Sequence, residues 1–188
     1  MATALDIVNT AQQQVGYVEG ANNDNIYGVW YGLNHAPYCA IGVSWVFGQN
    51  NLSHLVAAET IKGFSYCPAG LTWFRKHGQI VPKGQGRPGD LVFYDWNSDG
   101  QADHVEIIEA ASADGITTIG FNTGNPNDHT DPRTGCYRLH RPYMFVMAVI
   151  RPKYPTIVAP KASTNGKKAT AAVAGTATAI AGGTAAVH

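Results

Sequence analysis

Ala4, Ile7, Val8, Ala11 and Val15 recur near a 3.6-residue period. That pattern predicts an amphipathic helix over 3–15, capped by Thr3 or Asp6 and ended at Gly16. Residues 17–37 are rich in Asn, Gly and Tyr and read as loop, with 27–31 a candidate short element. From Tyr38 to Phe47 the chain is apolar nearly all round, which predicts a buried helix beginning at Pro37 and stopping at Gly48. Residues 51–65 carry no sustained period. Residues 68–76 read as a further short helix ended by Gly78. Short apolar runs then follow at 79–81, 91–94, 105–108, 116–121, 136–140 and 145–151, and these read as strands. Pro88-Gly89-Asp90 is a turn into the second run, and 122–134 is a loop of Asn, Asp, Pro and Gly. Helices first, then strands with hairpin-type connections, predict an α+β fold with N-terminal helices packed on an antiparallel β-sheet.

Composition narrows the class. The chain has 188 residues, and an apolar content of 45% is ample for one packed core. After Tyr154 the sequence shifts to Ala, Thr, Gly, Lys and Val without an aromatic residue. The expected division is therefore a folded domain over 1–154 and a disordered, low-complexity linker or tail over 155–188. Thirteen basic and thirteen acidic residues leave no formal net charge, which excludes nucleic-acid binding by bulk electrostatics. The N-terminus lacks a basic region followed by an apolar run, so no signal peptide is expected. No stretch of about 20 strongly apolar residues suggests a membrane span. Cys39, Cys67 and Cys136 are an odd count at irregular spacing, so neither a zinc pattern nor a disulfide framework is implied.

Residues 89–109, GDLVFYDWNSDGQADHVEIIE, carry the first chemistry. With Asp95 as position 1, Asn97 is 3, Asp99 is 5, Gly100 is 6, Gln101 is 7, Asp103 is 9 and Glu106 is 12. This is the D-x-[DN]-x-[DN]-G-x5-E pattern of a calcium loop, in which alternate side chains converge on one ion. Asp95, Asn97, Asp99, Gln101, Asp103 and Glu106 are the candidate ligands. The flanks read as strands rather than helices, and Glu106 falls inside the second.

Cys39 stands at the start of the buried helix. A thiol there meets unpaired backbone N–H groups and the positive end of the helix dipole, both of which lower its pKa. Cys67, just before Pro68, is near another helix start, so position alone does not separate the two. His104 follows the metal loop directly at the mouth of a strand. Cys, His and a polar orienting group form the thiol-hydrolase arrangement. The three Asp charges of the loop favour imidazolium, and a divalent ion among them is expected to lower the His104 pKa. Trp45 and Phe47 read as core; Trp30, Tyr31, Trp73 and Trp96 read either as core or as the lining of a groove.

Four motifs in order carry a resemblance: Pro37-Tyr38-Cys39-Ala40 with Ser44-Trp45; Lys62-Gly63-Phe64 with Tyr66-Cys67-Pro68; Pro88 to Phe93; and Asp95-Trp96 through Asp103-His104-Val105. Over roughly residues 3–152 the chain resembles the CHAP family, the cysteine, histidine-dependent amidohydrolases/peptidases. The resemblance implies a papain-like (NlpC/P60-like) fold and cleavage of peptidoglycan, at the muramoyl–alanine amide or within its peptides. It implies Cys39 as nucleophile and His104 as base. Family members often carry a Glu-Gly-Asn segment that orients the histidine. The matching residues here are Gly120-Phe121-Asn122, so the carboxylate is absent at that position and Asn122 is left as the expected orienting group. An oxyanion hole would use the Cys39 N–H and a second donor, with Tyr38 and Asn34 near in sequence.

The expectation is thus a calcium-stabilised, monomeric peptidoglycan hydrolase of phage-lysin type. It would be made in the host cytoplasm and would act on the bacterial wall after release. A calcium-stabilised wall-binding domain without catalysis, and a papain-like protease acting on proteins, are the alternatives.

Overall fold

The computed structural model describes residues 2–155, so the expected linker or tail lies outside the described residues save for Pro155. Helix α1 spans Ala4–Gln12. Thr3 caps it: its hydroxyl accepts from the Asp6 N–H, while the Asp6 carboxylate accepts from the Thr3 N–H at 2.7 Å. Ile7, Val8 and Ala11 form its buried stripe. Helix α2 spans Ile26–Tyr31, where only a candidate element was expected, with the Asn25 side chain accepting from Gly28 N–H.

Helix α3, Cys39–Gln49, is buried on nearly every side, as its unbroken apolar run predicts. It packs against the sheet closely enough that a Cβ on Gly42 would lie 2.3 Å from the Phe121 ring. Helix α4, Cys67–Lys76, begins with Pro68 in its first turn. The connection between α3 and α4 has an order that periodicity does not reveal. The buried Ser44 hydroxyl on α3 donates to the Phe64 carbonyl at 2.8 Å and accepts from the Phe64 N–H at 2.9 Å. This clamp fixes the chain three residues before Cys67.

The strands are β1 (Ile80–Val81), β2 (Leu91–Tyr94), β3 (His104–Ala111), β4 (Ile116–Gly124), β5 (Thr134–Arg141) and β6 (Val146–Ile150). They form one antiparallel sheet in the order β1-β6-β2-β3-β4-β5. Four helices and six antiparallel strands among the described residues make this the α+β fold expected. Three strands, β3, β4 and β5, run past their predicted limits. β3 begins at His104 itself, opposite Tyr94. β4 continues through Asn122, which takes a positive φ of 53° where the β4–β5 register shifts. Asn122 is therefore part of a bulged strand and not the start of a loop.

Alternation decides what β3 presents. Val105 and Ile107 enter the main core, with Ile41, Phe93 and Phe121. His104, Glu106 and Ile108 consequently point to the other face, where Ile108 joins a smaller apolar cluster with Val92, Tyr94, Ile116 and Val149.

Candidate active site

Cys39 is the first residue of α3, so its sulfur sits where the helix's leading N–H groups have no carbonyl partner. Its pKa is held well below the usual thiol range. The largest cause is a hydrogen bond from Cys67, whose sulfur is 3.6 Å away. Burial opposes the shift; the hydrogen bond and charge of His104, and the Ala40 N–H, reinforce it. The same contact, and burial after it, push the Cys67 thiol up, so Cys67 keeps its proton and donates. Cys136 lies fully buried in β5 and is likewise pushed up, by burial first.

His104 is 7% exposed. Burial alone would lower its pKa, but the Cys39 thiolate and the Glu106 carboxylate outweigh that and hold it up to about 9. Nε2 faces Glu106 Oε1 at 3.2 Å, which leaves Nδ1 as the ring nitrogen for Cys39. The charges that set this histidine are those of Cys39 and Glu106. The loop aspartates, whose charges were expected to favour imidazolium, are not among the leading ones.

Glu106 changes role from the one its spacing suggested. Its side chain is fully buried, where the calcium pattern would have it reach an exposed loop. Oε1 accepts from Arg141 Nη2 at 2.7 Å as well as facing His104, and Oε2 accepts from the buried Thr118 hydroxyl at 2.5 Å. Burial would raise its pKa, but His104 and Arg141 hold it down at about 2. With both oxygens committed, Glu106 is not a ligand for the loop. A sequence signal for this existed: His104 and Glu106 are two residues apart on one strand and so share a face.

Glu106 also takes the orienting place expected of Asn122. Asn122 lines the same cavity as His104, about 310 Å³, with Trp96, Thr123, Gly124 and Arg141. Its amide oxygen, however, partners the Thr134 hydroxyl at 3.2 Å rather than the imidazole. The missing carboxylate at 120 is supplied from the neighbouring strand. Glu106 pairs with Gly120 in the β3–β4 register, and a Cβ on Gly120 would lie 2.5 Å from Glu106 Oε1. The absence of a side chain at 120 is what gives the Glu106 carboxylate its room.

The result is a row of alternating charge: Cys39 thiolate, His104 imidazolium, Glu106 carboxylate, Arg141 guanidinium. Arg141 is held in turn over the rings of Trp96 and Tyr94, at 5.2 and 5.9 Å from their centroids. Trp96 stacks on Tyr94 at 4.6 Å. Of the aromatics considered for a groove, Trp96 lines the His104 cavity; Trp73 lines a separate one with Tyr66 and Pro68. Both candidates for the second oxyanion donor have partners elsewhere. The Asn34 amide donates to Asp24 and accepts from the Asn25 N–H, and the buried Tyr38 hydroxyl contacts Thr134.

Residues 30–125 match the CHAP domain family, a little over half of the chain. The chain belongs to the CHAP family. CHAP proteins are hydrolases that use a cysteine and a histidine; in this chain His104 is among the groups that hold the Cys39 thiol low. Among solved structures, the one titled "The crystal structure of Ly7917" is similar at 17% identity with a TM-score of 0.48. The alignment covers 80% of this CHAP chain and 63% of that structure, so the chain spans less than two thirds of its length. A comparison with curated proteins returns no match.

The loop between β2 and β3 has oxygen donors suited to a hard cation. Asp95 Oδ2 accepts from the Gly100 N–H at 2.9 Å, Asn97 Oδ1 from the Asp99 N–H at 3.1 Å, and Asp99 Oδ1 from the Gln101 N–H at 2.8 Å. These bonds turn the side-chain oxygens inward over the loop. Asp103 Oδ2 accepts from the Trp96 N–H at 2.7 Å. The carboxylates are not gathered at one point: among the described residues no three His, Cys, Asp or Glu side chains are placed to hold a metal ion. Nor is any helix among them long and apolar enough to cross a membrane.

Proposed function

We propose that this CHAP domain is a peptidoglycan hydrolase of phage-lysin type, cleaving an amide bond with Cys39 as nucleophile. The observation that carries this reading is the preformed Cys39–His104–Glu106 row at the start of a buried helix. The thiolate attacks the amide carbonyl carbon, and the Cys39 main-chain N–H, free at the helix start, faces the developing oxyanion. His104, already protonated, delivers its proton to the leaving amine and then acts as base for the water that releases the acyl group. Glu106 holds the ring and favours the imidazolium; it does not exchange the proton. The expected bond is the muramoyl–alanine amide or a bond within the wall peptides.

Cys39→Ala tests this reading. Clearing of a wall suspension is expected to fall about 10³-fold or more, with retention on sedimented walls unchanged. Clearing at the unaltered rate would exclude Cys39 as nucleophile. Mass spectrometry of the digest identifies the bond: a freed peptide with N-terminal alanine marks an amidase.

We further propose that the β2–β3 loop binds calcium through Asp95, Asn97, Asp99, Asp103 and the Gln101 carbonyl, without Glu106. The spacing, the inward oxygens and the absence of a basic side chain from 95–103 support this. A bound ion would supply fixed loop geometry at the foot of the strand that begins with His104.

A further inference from the structure

Cys39 and Cys67 open two different helices, α3 and α4, yet their sulfurs are 3.6 Å apart and both residues are buried. A disulfide bond is about 2.05 Å long. Side-chain rotation that brings the sulfurs roughly 1.5 Å closer would therefore join them. The approach is built into the fold. The Ser44–Phe64 clamp holds the segment leading to Cys67 against α3, and Pro68 sets the first turn of α4. A cavity of about 200 Å³ adjoins both residues, lined also by Pro37, Tyr66, Ala102 and Asp103. It has room for hydrogen peroxide. A proton donor to the Cys39 sulfur need not be a thiol; a hydroxyl or a main-chain N–H serves as well. A thiol adds one chemistry that those lack.

We propose that Cys39 and Cys67 form a reversible oxidation site, closed to an intramolecular disulfide by hydrogen peroxide and reopened by a dithiol reductant. In the first step the Cys39 thiolate attacks the peroxide: an S–O bond forms, the O–O bond breaks, and the departing hydroxide leaves as water after protonation. In the second, the Cys67 sulfur attacks the Cys39 sulfenic acid. The S–S bond forms, the S–O bond breaks, and hydroxide leaves with the Cys67 proton as a second water. Two thiols have lost two electrons and one peroxide has become two waters. Closure removes the thiolate and so shuts off hydrolysis; this consequence, unlike the disulfide itself, rests on Cys39 being the nucleophile.

The test treats the full chain with stoichiometric hydrogen peroxide, then with dithiothreitol, and follows peptide mass and wall clearing together. A Cys39–Cys67 cross-linked peptide is expected, with clearing reduced about tenfold or more and restored by the reductant. Cys67→Ser, close in size and unable to cross-link, is expected to give no cross-linked peptide and, under excess peroxide, to lose recovery, because its Cys39 sulfenic acid has no resolving thiol and a second peroxide oxidises it to sulfinic acid. Alkylation of unmodified protein with and without peroxide gives the same answer if that variant fails to fold: Cys39 and Cys67 should become protected together. Oxidation of Cys39 to sulfinic acid in the wild type without the cross-link would overturn the proposal. The cross-link formed with clearing intact would support the oxidation site and overturn the assignment of Cys39 as nucleophile.

Discussion

Glu106 faces Gly120 across the β3–β4 ladder, and its carboxylate occupies the space that a side chain at 120 would enter. The two positions behave as one unit. Gly120→Ala brings a Cβ within 2.5 Å of Oε1 and is expected to cost about 1–3 kcal/mol, read from urea denaturation. Gly120→Glu alone should be worse, since it adds a second carboxylate at the same point. Combining it with Glu106→Gly should restore clearing relative to Glu106→Gly. A double variant no more active than that single one would show that the carboxylate's place on β3 matters, and not only its presence.

Acid stability follows from the same residue. The folded pKa of Glu106 is depressed from 4.5 to about 2. Its contribution is therefore complete above pH 4.5 and disappears as the pH falls toward 2. Glu106→Gln leaves Arg141 without its buried partner and is expected to lose about 3–5 kcal/mol near neutrality. Urea midpoints measured from pH 6 downward should show the two proteins converging between about pH 4.5 and 2. A constant gap across that window would contradict the assigned shift.

Cys39 alkylation reports on Cys67. Because the Cys67 hydrogen bond is the largest cause lowering the Cys39 pKa, iodoacetamide should label Cys39 at pH values well below those an ordinary thiol requires. Cys67→Ala should move the half-maximal rate to higher pH. Cys67→Ser, which retains a donor, should move it less. An identical profile in all three proteins would remove Cys67 from the account of the thiolate.

Calcium binding is checked by melting with and without a chelator. Chelation is expected to lower the melting temperature by several degrees, corresponding to about 1–2 kcal/mol in a domain of this size. Asp95→Ala should reproduce the loss and abolish the response to added calcium. Glu106→Gln should melt lower yet keep that response, since Glu106 is directed to Arg141 and His104. Loss of the calcium response in Glu106→Gln would return that residue to the ligand set.

Much of the frame was legible from local pattern. The unbroken apolar run of α3, the Thr3 cap and the alternation within the hairpin each act over a few neighbouring residues. What escaped was decided between distant segments. No periodicity in 51–65 reports that Ser44 will hold Phe64, so the approach of Cys67 to Cys39 was hidden. Glu106 was assigned by spacing to the loop, although the two-residue repeat of a strand already placed it beside His104. Only the register with β4 shows that Gly120 makes room for it, and register joins residues fourteen positions apart. Asn122 was assigned from order in the chain, whereas the bulge at 122 commits its amide oxygen to Thr134.

Burial of the charge row separates two effects of ionic strength. Mobile ions screen exposed charges over roughly 8 Å at physiological salt. Here Glu106 is fully enclosed, His104 and Cys39 are 7% exposed, and the Arg141 end is the most exposed of the four. Salt should therefore leave the thiolate–imidazolium pair intact. Any salt dependence of wall clearing would then report how the protein's surface meets the wall, while alkylation of Cys39 stays level across the same titration.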